Sequence, residues 1–219
     1  MQPKSPQKTR DVVLHTLKYI KGETLDLGAG NAKYRHIIKP KTTKYTTFDM
    51  VSGPNIDVVG DILELSFKDS SFDTVISTQV LEHVQKPWVM VSEIARVLRP
   101  GGMAIVSAPF LVPYHADPHD YFRYTKEGMS SLFSTNGFEI IECNGYGGFF
   151  GVIYEMIHFT MLNPYQGKSS KTWQVRILRY LEKITGGLDK IFPAKIIYAN
   201  VYIVAKKVAS SATRRGGGK

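Results

Sequence analysis

Residues 25–32 read Leu-Asp-Leu-Gly-Ala-Gly-Asn-Ala, and this stretch constrains the fold more tightly than any other. A short apolar run ending in two glycines one residue apart is a strand that turns sharply into a helix. Glycine is needed there because a Cβ would clash or forbid the backbone angles, and its absence lets main chain approach a ligand closely. A dinucleotide fingerprint would need a third glycine at position 33, where Lys33 stands. The turn therefore suits a ligand with no pyrophosphate to seat at a helix start. Asp26, just before the turn, disfavours a phosphate and suits a cationic amine.

Short apolar strands and helical patterns alternate after that point. Strands are expected at 24–27, 45–48, 56–59, 74–77, 103–106, 138–142 and 201–205. Helices are expected at 11–20, 31–38, 88–98 and 126–135, with Arg99-Pro100-Gly101-Gly102 as a turn. The uninterrupted apolar character of 74–77 predicts burial on both faces. This rhythm predicts an α/β, Rossmann-like, doubly wound and mostly parallel sheet with helices on both faces. Residues 145–195 interrupt it as a helical insertion before the last strand. The expected division is an N-terminal helix (1–22), a core domain (23–144 with 196–208), the insertion or lid (145–195) and a disordered basic tail (209–219).

The chain has 219 residues and a formal net charge of +9, which invites a nucleic-acid partner. The distribution argues otherwise. Residues 1–44 carry +7, residues 45–155 carry −8 and residues 156–219 carry +10, so an acidic body lies between basic flanks. No run of about twenty apolar residues predicts a membrane span, and MQPKSPQKTR lacks the apolar core of a signal peptide. A cytoplasmic location is expected. Cys143 is the single cysteine, which excludes an internal disulfide.

In order along the chain come LDLGAGNA, FDM, GDI, FDTVISTQVLEHV and EIARVLRPGGMAIVSAP. This set resembles the class I S-adenosylmethionine-dependent methyltransferases, with the type 11 methyltransferase domain as its nearest likeness, over residues 23–143 and again at 198–206. The resemblance implies S-adenosylmethionine as cofactor, with Asp26 facing the methionine amine and Gly28 and Gly30 lining methionine and ribose. It implies Asp49 on the ribose hydroxyls, Met50 packed on adenine, Asp61 and the Ile62 backbone reading the adenine edge, and Thr78 and Gln79 beside the sulfonium. Ala32 departs from the family's usual third glycine. Taken singly, Asp26 and Asp49 equally suit a structural cap or a turn. Glu82-His83 is expected to organise local packing.

Residues 109–125 follow the fifth strand and hold two His, two Asp, three Tyr and one Arg. Such a density is unusual for mere connection. His115 or His119 is the candidate general base, with Asp120 orienting a histidine or the acceptor. Arg123 is a candidate holder of an anionic group, and Tyr114 and Tyr121 are candidate pocket walls. Asp120 and Arg123 also suit a structural ion pair before a helix capped by Thr125. No cysteine or histidine spacing points to a metal, and none is expected.

In the insertion, Phe149, Phe150, Ile153, Ile157 and Met161 fall at helical spacing. Leu178, Leu181, Ile184, Leu188 and Ile191 alternate with Arg176, Arg179, Lys183 and Lys190, interrupted at Gly186-Gly187. A cap packed on the domain is the favoured expectation, with contact to an anionic membrane as the other. The expected function is methyl transfer to a small molecule or a glycan or lipid precursor, at oxygen. The alternatives are an RNA methyltransferase and a non-catalytic cofactor-binding module.

Overall fold

The computed structural model describes residues 6–116, 118–162, 172–192 and 196–209. The expected tail at 209–219 falls almost wholly outside them. Seven strands form one sheet: β1 (Glu23–Leu27), β2 (Lys44–Asp49), β3 (Val58–Val59), β4 (Phe72–Thr78), β5 (Leu98–Pro109), β6 (Phe138–Tyr146) and β7 (Asn200–Lys207). Their spatial order is β3-β2-β1-β4-β5-β7-β6. All neighbours pair in parallel except β7, which runs antiparallel to both β5 and β6. The helices are α1 (Thr9–Thr16), α2 (Arg35–Ile38), α3 (Pro87–Val97), α4 (Lys126–Ser134), α5 (Phe149–Leu162) and α6 (Thr172–Ile191). The mostly parallel α/β sheet matches the sequence expectation.

The period-two alternation of strands sorts side chains onto two cores. Leu25, Leu27, Val75, Ala104, Val106 and Ile203 join Met90, Val91 and Ile94 of α3 and Met129 and Phe133 of α4 on one face. Ile76, Ile105 and Val204 join Val12 and Val13 of α1 and Ile38 of α2 on the other. β4 is buried on both sides because it lies at the centre of the sheet.

Three expectations are corrected. The helix foreseen at 31–38 shortens to Arg35–Ile38, because Ala32 takes φ +54° and the turn continues through Tyr34. The turn foreseen at 99–102 lies within β5. Phe72 pairs with Leu98, but Thr74 already pairs with Met103, so these four residues loop out as a bulge with Gly101 at φ +76°. Gly186 and Gly187 do not interrupt α6, which runs unbroken from Thr172 to Ile191. Two glycines there cost helix propensity, about 1 kcal/mol each, without breaking it.

The insertion consists of α5 and α6, antiparallel neighbours between β6 and β7 in the chain. Asp189 of α6 caps the start of α5, accepting from the Phe150 and Gly151 amides at 3.0 and 2.8 Å. The carboxylate meets the positive end of the α5 dipole there. Among the described residues no helix is long and apolar enough to cross a membrane.

Candidate functional site

The carboxyl ends of β1 and β4 open onto a cavity of about 310 Å³. Its walls include Asp26, Gly28, Gly30, Thr78 and Gln79, all expected, together with Thr9, Asn31, Lys33 and Tyr34, which the sequence did not single out. Lys33 and Tyr34 share the turn and were within reach of sequence reasoning. Thr9, on α1, carried no signal, since only the fold brings the N-terminal helix over this end of the sheet.

The turn is held by backbone geometry. Gly28 sits at φ +72°, and a Cβ there would lie 2.5 Å from Val80 Cγ2. Gly30 (φ +56°) is also left-handed, as glycine allows, and Gln79 (φ +57°) holds the same conformation as a strained non-glycine residue beside the cavity. Asp49 at the end of β2 secures the turn, with Oδ2 accepting from Gly30 N at 2.8 Å and Oδ1 from Val51 N at 3.1 Å. Below it Gln79 Nε2 donates to Tyr146 Oη at 2.9 Å and to Ser107 Oγ at 3.3 Å. Tyr146 Oη also meets Thr9 Oγ1 at 3.1 Å, which ties α1 to the cavity.

Asp26 is buried, and the Tyr45 hydroxyl donates to its Oδ2. Burial pushes its pKa up to about 6, the Tyr45 bond opposes this, and the nearby Asp49 charge adds to it. The remaining expected cofactor residues lie apart from the cavity walls. Met50 is exposed just beyond β2. Asp61 Oδ1 accepts from Leu63 N at 2.8 Å, and Ile62 packs on the core.

The loop after β5 builds a second polar region. Its main chain docks on the turn after β4, with the Tyr121 amide donating to the Glu82 carbonyl at 2.8 Å. Asp120 and Arg123 form the ion pair, Nη1–Oδ1 at 2.5 Å and Nη2–Oδ2 at 2.6 Å. Arg123 further donates to the carbonyls of Val112, Phe122 and Pro113. Its guanidinium is thereby committed to the loop itself, which departs from its expected role on a substrate anion. Asp120 also accepts from His115 N at 2.8 Å. Burial would raise the Asp120 pKa, but Arg123 and the His115 amide outweigh it and hold the carboxyl below its usual range. Asp120 thus fixes the main chain at His115.

Glu82 is fully buried, and neither carboxylate oxygen has a hydrogen-bond partner among the described residues. Oε1 lies 3.6 Å from His83 Nε2 and 3.7 Å from His115 Nε2. Glu82 raises the His115 pKa against the lowering by partial burial. His119 points elsewhere: its carbonyl faces His83 Nδ1 at 2.5 Å, while its ring packs against Tyr121. Tyr114 and Tyr121 are exposed on the same loop. Phe159 of α5 packs against the His115 ring, so the insertion covers this region. Sequence spacing concealed the cluster, because residues 82–83 and 115 meet only when the loop folds back.

Comparison with known proteins agrees with the geometry. Residues 25–106 match the family model of a methyltransferase domain. A Mycolicibacterium smegmatis relative, described as a probable S-adenosylmethionine-dependent methyltransferase, is 37% identical over 100 residues, 42% of this chain and 38% of that protein. The chain thus spans about two fifths of that relative's length. The fold matches phosphoethanolamine N-methyltransferase 2 of Haemonchus contortus in complex with S-adenosyl-L-methionine (TM-score 0.58, 16% identity, 94% of this chain and 54% of that one). It equally matches the [4+2]-cyclase SpnF (TM-score 0.62, 17% identity, 91% and 80%), so likeness of fold leaves the reaction open. Residues 25–106 belong to the methyltransferase domain family whose model they match.

Proposed function

We propose that this protein is an S-adenosylmethionine-dependent methyltransferase acting on a small molecule or a glycan or lipid precursor, at oxygen. The observation that carries the reading is the cavity between the left-handed Gly28–Gly30 turn and Gln79, framed by Asp26 and by Asp49 beneath Gly30. These residues fit the cofactor: Gly28 leaves no room for a Cβ beside Val80, which keeps the turn tight, and the carboxylates suit an amine and a ribose. When bound, the cofactor supplies a methyl group on a sulfonium. The chain's part is then to hold, to orient and to exclude water.

Asp26 accepts the amine in its ionised form. Asp49 keeps lone pairs for ribose hydroxyls after holding two amides. Met50, Asp61 and Ile62 would hold the adenine, and Thr78 and Gln79 the methionine end. The acceptor approaches beneath the loop that carries Tyr114, His115 and Tyr121. His115, made more basic by Glu82 and fixed by Asp120, takes the proton of a hydroxyl.

Calorimetry with S-adenosylhomocysteine tests the reading. The wild type is expected to bind, and Asp49→Ala to bind about 10- to 100-fold more weakly, as loss of hydrogen bonds to a charged group predicts. Absence of wild-type binding overturns it. Transfer of labelled methyl into a metabolite and lipid extract separates an enzyme from a cofactor-binding module.

A lipid-borne acceptor is favoured by α6. Its buried face is Leu178, Thr185 and Asp189. Trp173, Ile177, Tyr180, Ile184 and Ile191 are exposed and fall within about 60° of arc. Arg176, Arg179, Lys183 and Lys190 form an adjoining row. An exposed apolar stripe beside cations suits an anionic lipid surface. Sedimentation is expected with phosphatidylserine-containing vesicles, not with phosphatidylcholine alone, and to fall with Trp173→Glu/Ile184→Glu. Salt-dependent RNA binding with no vesicle binding would favour a nucleic-acid acceptor instead.

A further inference from the structure

We propose that Glu82, His83 and His115 form a binding site for one divalent first-row transition cation, of the zinc, cobalt or nickel kind. Glu82 Oε1, His83 Nε2 and His115 Nε2 converge: the carboxylate oxygen is 3.6 and 3.7 Å from the two nitrogens, and all three ligand atoms lie within 4.8 Å of one another. This departs from the sequence expectation of no metal.

The protonation pattern makes the case. His83 Nδ1 lies 2.5 Å from the His119 carbonyl, which can only accept, so Nδ1 carries the proton. His115 Nδ1 lies 3.0 Å from the Pro113 carbonyl and 3.6 Å from Asp120 Oδ2, with Arg123 Nη2 at 3.4 Å. Its shortest contact is an acceptor, which again places the proton on Nδ1. In their neutral forms both imidazoles therefore aim a lone pair at a carboxylate oxygen. Three acceptors facing one another repel unless a cation lies between them. At 3.6–3.7 Å neither nitrogen is in direct hydrogen-bond contact with the carboxylate.

Ligands held about 2.05 Å from a tetrahedral ion stand about 3.4 Å apart, close to the 3.6 and 3.7 Å from Glu82 Oε1 to the two nitrogens. Histidines whose other nitrogen donates to a backbone carbonyl have the outer partners that metal-bound histidines use. The environment adds a second observation: Glu82 is 0% exposed, and neither carboxylate oxygen is hydrogen-bonded among the described residues. A buried carboxylate in that state is costly, and a bound cation removes the cost. Two imidazoles and one carboxylate suit transition ions over magnesium or calcium, which prefer all-oxygen sets. The two histidines are partly exposed, so an ion here keeps positions open toward the loop. Glu82 lies three residues beyond Gln79, which lines the cofactor-side cavity. The ion and the base role proposed above use the same nitrogen, His115 Nε2, so the ion-loaded chain would lack that base.

The test uses tag-free, chelator-treated full-length protein titrated with Co²⁺ and followed by visible absorption, with Zn²⁺ calorimetry in parallel. One ion per chain is expected, with no binding of Mg²⁺ at the same concentrations. His115→Ala and Glu82→Gln are each expected to weaken binding beyond the ~10- to 100-fold that outer partners of a ligand are worth. Circular dichroism melts in chelator confirm folding. Should Glu82→Gln fail to fold, the partly exposed His83→Ala and His115→Ala carry the comparison. Absence of Co²⁺, Zn²⁺ and Ni²⁺ binding by the wild type overturns the proposal, leaving a proton-only cluster. So does unchanged binding by His83→Ala/His115→Ala. The readout is the metal, independent of methyl transfer.

Discussion

The cradle at the ends of β1, β2 and β4 and the polar cluster beneath the loop after β5 are built by opposite means. The cradle is backbone: Gly28, Gly30 and Gln79 in left-handed conformations, with Asp49 holding a main-chain amide. The cluster is side chain: two buried carboxylates, Glu82 and Asp120, treated differently. Asp120, with 1% side-chain exposure, is neutralised by Arg123. The Glu82 carboxylate, equally buried, has no hydrogen-bond partner among the described residues. Burying a carboxylate is tolerated when it is paired, and it signals function when it is not. Asp120 therefore belongs to the scaffold of the loop, and Glu82 to what the loop encloses.

The largest effect should come from breaking the cradle. Gly28→Val puts a Cβ onto Val80 and a branched side chain at φ +72°. Strain of about 1–3 kcal/mol would be expected in stability. S-Adenosylhomocysteine binding should vanish at concentrations that saturate the wild type, as read by calorimetry. Retained affinity would show that the turn does not hold the ligand.

Next comes the scaffold. Arg123→Ala leaves Asp120 buried without its cation, and removing one partner of a buried pair costs about 3 kcal/mol or more. Arg123 retains some exposure, which places the expectation at the lower end. Urea unfolding measures it. A loss under about 1 kcal/mol would mean that the loop does not depend on the pair, and would return Arg123 to the role of substrate holder.

The two regions also differ in how far the sequence discloses them. The cradle lies within residues 25–32, and its glycines report φ directly, so Gly28 and Gly30 are legible as turn residues from the amino-acid pattern alone. Asp26 and Asp49 were legible from their places at strand ends. Ala32 was legible as a departure, but not as a left-handed residue that cuts α2 to one turn. The cluster was opaque. Glu82 and His83 precede His115 by more than thirty residues, and the loop joins them through the Tyr121 amide and the Glu82 carbonyl. The face that α6 buries was misread for a related reason. Apolar periodicity pointed to Leu178, Leu181, Ile184, Leu188 and Ile191; Leu178 is buried, but Asp189, bonded to two amides at the start of α5, shares that face with Thr185, and Ile184 and Ile191 are exposed.

The smallest effect is the pH dependence of the cradle. Burial raises the Asp26 pKa from 3.8 to about 6, so the folded chain keeps this proton at a pH where the unfolded chain has lost it. The contribution of Asp26 to stability is therefore greatest at low pH and declines as pH rises through about 6. Binding runs the other way. A cationic amine prefers the ionised carboxylate, so affinity for S-adenosylhomocysteine should rise as pH passes through about 6. About one tenth of Asp26 is ionised near pH ~5 and nearly all near pH ~7.5, which allows a gain of about tenfold. Asp26→Asn keeps the shape and an acceptor for Tyr45 but removes the titration, so its affinity should be flat over this range. A wild-type profile as flat as that of Asp26→Asn would mean that the amine is held elsewhere. Asp26 would then stand with Asp120 as a buried carboxylate that serves the scaffold.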